Sequence, residues 1–245
     1  MNRITVDSAD STARNELAGE SLPQGEEIAI GKYFPFNTVY FQLEKASETP
    51  LDFVVEYWDG TKWVTLDQIT DETLGFSRSG HVTVILDDRQ MKRMEAIDDR
   101  YFVRVIFPIV PEITIKRIGD ALTDAASLKR VFMNVDNYLA TFGVNDWSEQ
   151  IFLGTSNTID YLKINGIIRS REQLLNAREW FSTVAYEVCA NIFENLGGEY
   201  LERVESMRAK FRMLVKQRGK TIDRDGDGRV DRQEISGVTV NYLKR

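Results

Sequence analysis

The sequence predicts an α+β fold, in which an N-terminal antiparallel β-sandwich of jelly-roll-like type precedes a helical domain with a long antiparallel helix hairpin. Two observations support this order. Apolar residues recur with a period of 2 up to about residue 122 and with a period of about 3.6 after it. Short strand-like segments are closely spaced in the first part, as they are in antiparallel sandwiches. A hydrophobic content of 42% is enough for a large buried core.

Four regions follow from these changes of pattern. Residues 1–26 are polar and have no sustained period, which indicates an extended arm. The sandwich domain spans 27–122, and the helical domain spans 123–220. Residues 221–245 combine an acidic loop with a strand-like tail, which would either add a strand to the sheet of another subunit or fray in solvent.

The strand predictions rest on alternation of apolar and polar side chains. The predicted strands are 37–43, 51–58, 63–66, 79–86, 100–107 and 112–118. Asp59 and Gly60 indicate a hairpin, because both residues tolerate positive φ. The loop has either two or four residues, and the four-residue version would pair Trp58 with Trp63 across the strands.

The helix predictions rest on one long amphipathic segment and the segment that follows it. The first helix begins with a capping box formed by Ser170 and Gln173 and ends at a Gly-Gly pair. Its predicted buried stripe is Leu174, Ala177, Phe181, Ala185, Val188, Ile192 and Leu196, widened by Trp180, Val184 and Cys189. The second helix runs over 199–218, with a predicted stripe of Leu201, Val204, Met207, Phe211, Leu214 and Val215. Two long helices joined by Gly-Gly predict an antiparallel hairpin.

Composition argues against several classes of function. The net charge of −7 argues against general binding of nucleic acid by a basic surface. The single histidine, His81, is predicted to lie in a strand near a turn, and the single cysteine, Cys189, to be a small core residue. The sequence contains neither a Gly-rich phosphate loop nor a set of metal-binding histidines. We therefore expect a protein that is not an enzyme.

The sequence gives no indication of a membrane segment. No apolar run approaches the ~18 residues of a membrane-spanning helix. The N-terminal residues also lack the apolar stretch of a signal peptide. We expect a protein that folds in a cytoplasm.

The stretch DRDGDGRVDRQE, residues 223–234, has the ligand spacing of an EF-hand loop. Gly228 stands where such a loop turns sharply. The predicted ligands for a structural Ca²⁺ ion are the side chains of Asp223, Asp225, Asp227, Asp231 and Glu234 and the main-chain carbonyl of Arg229. The alternative is an acidic surface turn without a metal. The loop is single, and a strand-like tail follows it instead of a second helix. A structural ion that fixes a chain reversal therefore fits better than a calcium switch.

An aromatic hairpin is the second candidate site. Tyr57, Trp58 and Trp63 would form a sugar-binding platform if their rings were exposed on one surface. The alternative is that Tyr57 packs in the core while the two tryptophans stabilise the hairpin as a cross-strand pair. The sequence favours this second interpretation.

Two parts of the chain resemble proteins of tailed bacteriophages. Residues 178–219, REWFSTVAYEVCANIFENLGGEYLERVESMRAKFRMLVKQRG, resemble the helical core of head-to-tail connector (adaptor) proteins, and residues 144–168 resemble its leading helices. The segments FVVEYWDGTKWVTL, DETLGFSRSGHVTVIL and YFVRVIF resemble a β-sandwich module of phage neck and tail-associated proteins.

The resemblance implies a structural protein of the virion neck. It implies a homo-oligomeric ring of twelve copies that binds the portal protein on one side and a tail terminator or stopper protein on the other. DNA would pass through the ring without specific binding, and a net-acidic surface suits such passage, because basic side chains hold phosphates. The protein would be made in the host cytoplasm and then assembled into the virion. The alternative function is a carbohydrate-binding or adhesion module of a tail or collar protein.

Overall fold

Antiparallel strands occupy the N-terminal part of the chain, and helices follow them. The computed structural model describes residues 27–32, 35–84, 90–94, 100–108, 112–174, 176–218 and 222. The strands of this part are β1 Glu27–Lys32, β2 Thr38–Lys45, β3 Val54–Trp58, β4 Trp63–Thr65, β5 Ile69–Asp71, β6 Gly80–Val84, β7 Arg93–Met94, β8 Arg100–Ile106 and β9 Thr114–Gly119. The helices are α1 Ala125–Val131, α2 Leu139–Phe142, α3 Ser148–Ile164, α4 Ala177–Leu196 and α5 Leu201–Arg218, and short 3₁₀ turns lie at Val135–Tyr138, Arg171–Gln173 and Gly198–Tyr200.

The strands form two sheets that face each other across one apolar core. One sheet has the order β1–β8–β3–β4, with β7 also paired to β8, and the other has the order β5–β6–β2–β9. Every pairing is antiparallel. The core takes apolar side chains from both sheets, including Ile28, Ile30, Val39, Phe41, Val55, Val82, Val103, Val105 and Ile115. The chain changes sheet at every connection except β3–β4, β5–β6 and β7–β8.

The period-2 pattern located six strands correctly and missed three. The missed strands are β1, β5 and β7, and the last two have only three and two residues. Strand β1 was not predicted because Ala29 and Gly31 stand at the positions where polar residues would alternate with Ile28 and Ile30. Ile28 and Ile30 point into the core, while Ala29 packs on the opposite face beside Phe102. Strand β1 is therefore buried on both faces, although the pattern alone did not indicate it.

The β3–β4 hairpin has the four-residue loop. Trp58 pairs with Trp63 in the register of the two strands. The Asp59 carboxylate accepts hydrogen bonds from the backbone N–H groups of Thr61 (2.7 Å) and Lys62 (2.8 Å). Because this side chain satisfies two loop donors, the aspartate stabilises the turn directly.

The helices cover the outer face of the β5–β6–β2–β9 sheet. Strand β2 is buried on both sides for this reason. Val39 and Phe41 lie in the core between the sheets, whereas Tyr40 lies in the core of the helical part. Gly119 on β9 allows close approach, since a Cβ there would lie 3.1 Å from the ring of Phe152 on α3.

Two helix predictions need correction. Helix α4 begins at Ala177, not after Ser170, because Asn176 has extended backbone and its side chain caps the helix by accepting from Arg178 N (3.2 Å). The Ser170–Gln173 capping box is present, but it caps only the 3₁₀ turn at 171–173. Leu201 was expected in the buried stripe and is 59% exposed, since it is the first residue of α5 and lies beyond the end of α4.

Helices α3 and α4 approach closely at Gly154. A Cβ at this position would overlap the Cγ2 methyl of Val188 and lie 3.4 Å from its Cα. We expect Gly154→Ala to lower the free energy of unfolding by about 1–3 kcal/mol, because a rigid β-branched side chain cannot move aside without separating the helices. Chemical denaturation measures this change.

The control for this prediction is Gly198→Ala, where a Cβ meets no atom within 4 Å. This variant is expected to unfold at nearly the same denaturant concentration as the parent protein. Adding Val188→Ala to the Gly154→Ala variant should restore part of the lost stability. Equal effects of the two glycine substitutions would contradict the close-approach explanation.

Candidate functional site at the sheet–helix junction

Polar side chains join the sandwich to the helices. The Tyr40 hydroxyl on β2 lies 2.9 Å from the Ser148 hydroxyl at the start of α3. Gln42 Nε2 donates to Glu149 Oε1 (3.0 Å), and Lys116 Nζ on β9 donates to the same oxygen (2.8 Å). These contacts connect two strands to one helix end and fix the orientation of the helical part on the sheet.

A buried cluster of three charged side chains lies at the same junction. Lys32 Nζ on β1 bonds Asp120 Oδ1, and Arg171 Nε lies 3.7 Å from Asp120 Oδ2. Lys32 is 1% exposed, and the other two side chains are nearly buried. Burial alone would raise the pKa of the Asp120 carboxyl, but the charges of Lys32 and Arg171 outweigh burial and hold that pKa below its ordinary value. The cluster ties the first strand, the chain after β9 and the helical part together.

His81 lies on β6 and faces the helices, fully buried. Its ring packs edge-on against Tyr40 (4.8 Å between centroids) and obliquely against Phe181 of α4 (4.6 Å). His81 Nε2 lies 3.0 Å from the carbonyl oxygen of Ala121. A carbonyl oxygen only accepts, so this contact assigns a proton to Nε2, and in the neutral form of the ring the lone pair lies on Nδ1.

Two carboxylates lie beside this lone pair. His81 Nδ1 is 3.3 Å from Glu72 Oε2, although the two atoms are not aligned as a hydrogen bond, and neither has a hydrogen-bond partner among the described residues. Asp124 completes the group, and one ligand atom of each of the three residues lies within 4.8 Å of the others. Asp124 also accepts from Ser127 N as the N-cap of α1, while Arg178 Nη2 lies 3.8 Å from Glu72 Oε1. The arrangement brings one imidazole and two carboxylates together where the strands meet the helices.

The loop that carries Glu72 has an unusual backbone. Three successive residues, Leu74, Gly75 and Phe76, have positive φ values of 53°, 64° and 59°. The Asp71 carboxylate stabilises this left-handed turn by accepting from Gly75 N (2.7 Å), and Phe76 is fully buried in the sandwich. Because hydrogen bonds and a buried ring hold the loop at both ends, Glu72 has a defined position.

Sequence reasoning did not identify this group. Glu72, His81 and Asp124 are separated by 9 and 43 positions and match no ligand spacing. The available signal was a lone histidine inside a strand, and His81 was predicted only as a strand residue near a turn. Its place as the second residue of β6 agrees with that prediction.

The three aromatic residues of the predicted sugar platform do not lie on one surface. Tyr57 is 8% exposed in the core between the sheets, whereas Trp58 and Trp63 lie on the opposite face. The two indole rings contact each other edge to face at 5.7 Å, and Arg104 lies over the Trp63 ring at 4.3 Å. This geometry matches the cross-strand packing interpretation.

The two remaining candidates are Cys189 and the predicted calcium loop. Cys189 is fully buried in α4, and burial raises the pKa of its thiol to about 12, in agreement with a core role. The predicted calcium ligands from Asp223 to Glu234 lie outside the described residues. Among the helices of the described ranges, none has both the length and the apolar character needed to cross a membrane.

No protein-family model matches this chain, and no curated protein matches it at a significant level.

Proposed function

We propose that this chain is a structural virion protein that forms a head-to-tail connector ring between portal and tail in the neck of a tailed phage. The main support is that both stretches resembling the connector core correspond to one packed helical unit. Residues 144–168 contain α3, and residues 178–219 contain α5 and all of α4 except Ala177. Helices α3 and α4 share the apolar core that includes Ile151, Leu162, Trp180 and Val184.

Exposed apolar side chains on this unit supply a surface for neighbouring subunits. Leu153 is 47% and Ile164 85% exposed. They are 11 residues apart on α3, about three helical turns, so both lie on the same outward face. Further exposed large apolar side chains on the helical part are Met133, Leu201 and Met213. We propose that this face of α3 contacts the next copy in the ring.

The remaining features have places in the same proposal. The helical domain makes the ring, and the jelly-roll-like sandwich projects outward or packs as a collar. The EF-hand-like loop holds a structural Ca²⁺ ion that directs the C-terminal tail toward the portal. A tail terminator or stopper protein binds the opposite side, and DNA passes through the channel without specific contacts. The protein is made in the host cytoplasm and resides in the virion.

The test is the effect of charge on the exposed face of α3. We expect the double variant Leu153→Glu, Ile164→Glu to lose ring formation, because each closed subunit contact would then bury carboxylates against an apolar surface. Native mass spectrometry with purified portal rings measures the assembled species. The parent protein should give a ring-sized complex, whereas the double variant should remain at the 28.2 kDa of one chain.

The matched control is Leu74→Glu, which makes the same change at a 54% exposed leucine of the sandwich. This variant is expected to form rings as the parent does. A parent protein that stays monomeric with portal present, or a double variant that still forms rings, would refute the proposed contact.

A further inference from the structure

We propose that Glu72, His81 and Asp124 form a binding site for one Zn²⁺ ion that clamps the sandwich to the helical part. Glu72 follows β5, His81 lies on β6 and Asp124 begins α1, so a bound ion would bridge the two parts of the chain. This site is distinct from the EF-hand-like loop and does not depend on ring formation.

The hydrogen bonding of His81 favours a bound cation. His81 Nε2 donates to the Ala121 carbonyl (3.0 Å), which leaves Nδ1 facing the Glu72 carboxylate with no hydrogen-bond partner among the described residues. A lone pair facing a carboxylate oxygen at 3.3 Å is repulsive unless a proton or a cation lies between them. Metal-binding histidines commonly donate their second nitrogen to a backbone carbonyl in this way, which holds the ring and raises its basicity.

The local charge also favours a bound cation. Glu72 and Asp124 bring two negative charges to one buried nitrogen, and the nearby cation Arg178 is 45% exposed and 3.8 Å from the far oxygen of Glu72. A divalent cation would offset the repulsion between the carboxylates more completely than the distant guanidinium does.

The donor atoms favour zinc over other divalent cations. An imidazole nitrogen with two carboxylates suits zinc, whereas Ca²⁺ and Mg²⁺ prefer oxygen ligands alone. Zinc bonds of about 2.1 Å in tetrahedral geometry place neighbouring ligand atoms about 3.4 Å apart. The Nδ1–Oε2 distance of 3.3 Å agrees with that spacing, whereas the three ligand atoms together lie within 4.8 Å of one another, so zinc binding would draw the side chains inward. The Glu72 side chain is 22% exposed, so the ion can enter from solvent and keep water as its fourth ligand.

The experiment uses the full chain, freed of metal with a chelator and titrated with Zn²⁺ in a calorimeter. Co²⁺ serves as the spectroscopic probe, because tetrahedral Co²⁺ absorbs strongly in the visible range. The parent for this experiment carries the double substitution Asp225→Asn, Asp227→Asn, which removes two predicted ligands of the EF-hand-like loop and changes none of the three site residues. We expect one equivalent of Zn²⁺, a tetrahedral Co²⁺ spectrum and a higher melting temperature with zinc.

The site variants are Glu72→Gln, at a partly exposed position, and Asp124→Asn, which keeps an N-cap side chain for α1. Each is expected to bind Zn²⁺ at least about tenfold more weakly and to lose the tetrahedral Co²⁺ bands, while remaining folded by circular dichroism. If the loop-disabled parent takes up no zinc, or if both variants bind it as the parent does, the site is refuted. Neither result bears on ring formation, which native mass spectrometry measures separately.

Discussion

Asp120→Asn is expected to lower the free energy of unfolding by about 3–5 kcal/mol, the range measured when one partner of a buried ion pair is removed. The substitution keeps the shape of the side chain but removes the negative charge beside Lys32 and Arg171. Two buried cations would then face a neutral amide in surroundings of low polarity. Denaturant unfolding at neutral pH measures the loss.

An exposed ion pair supplies the control. Lys45 and Glu112 lie 3.7 Å apart with side chains 61% and 89% exposed, so Glu112→Gln should change stability by less than about 1 kcal/mol. Similar effects of the Asp120 and Glu112 substitutions would contradict the importance of burial.

The Asp120 effect should also depend on pH. The folded pKa of this carboxyl lies below its unfolded value, so its stabilising contribution is present above the unfolded pKa of about 3.9 and is lost as the pH falls through the folded value. The difference in stability between the parent and Asp120→Asn should therefore be constant near neutral pH and shrink below about pH 4. A difference that persists undiminished in acid would indicate that charge is not the cause.

Phe76→Ala is expected to lower the free energy of unfolding by about 3–5 kcal/mol. The Phe76 ring is fully buried and contacts Phe41 (5.1 Å between centroids), Phe53 (5.2 Å) and Phe107 (5.0 Å), all in edge-to-face geometry. Phe41 belongs to one sheet and Phe107 directly follows β8 of the other, so the ring fills the space between the sheets. Removing it leaves a cavity that neither sheet can close alone.

Leu74→Ala is the matched control for this prediction. Leu74 has nearly the same left-handed backbone, with φ of 53° against 59° for Phe76, but its side chain is 54% exposed. Both substitutions keep a Cβ in the left-handed region, so backbone strain cancels in the comparison. The Leu74 variant should lie within about 0.5 kcal/mol of the parent. Comparable losses in the two variants would contradict burial of the Phe76 ring as the source of the stability.

The elements that sequence reasoning located well are those whose signal is local. Strand β2 was found from the alternation around Phe41, and the hairpin loop from Asp59 and Gly60. The long stripe of α4 was also correct, although the helix start was placed too early. The Ser170 capping box is genuine, but Asn176 caps the helix itself, and the two signals look alike without a structure.

The candidate metal site could not be predicted because its residues meet only after folding. Glu72 owes its position to a left-handed loop, and Asp124 to the start of a helix packed on the sheet. Neither feature has a fixed spacing from His81. The Lys32–Asp120–Arg171 cluster could not be predicted for the same reason. Its three residues are far apart in the sequence and meet only when the first strand packs beside the helical part.

The sequence by itself determined the order of strands and helices, the four-residue hairpin as one of two options, and the apolar stripe of α4. It could do so because side-chain periodicity and turn chemistry act over a few residues. Only the tertiary structure decided that Tyr57 is buried while Trp58 and Trp63 stay outside, and that helices cover the outer face of one sheet. When the helices cover that face, His81 is buried beside Glu72 from the strands and Asp124 from the helical part. Long-range packing, rather than the spacing of residues in the sequence, determines which polar groups are buried together.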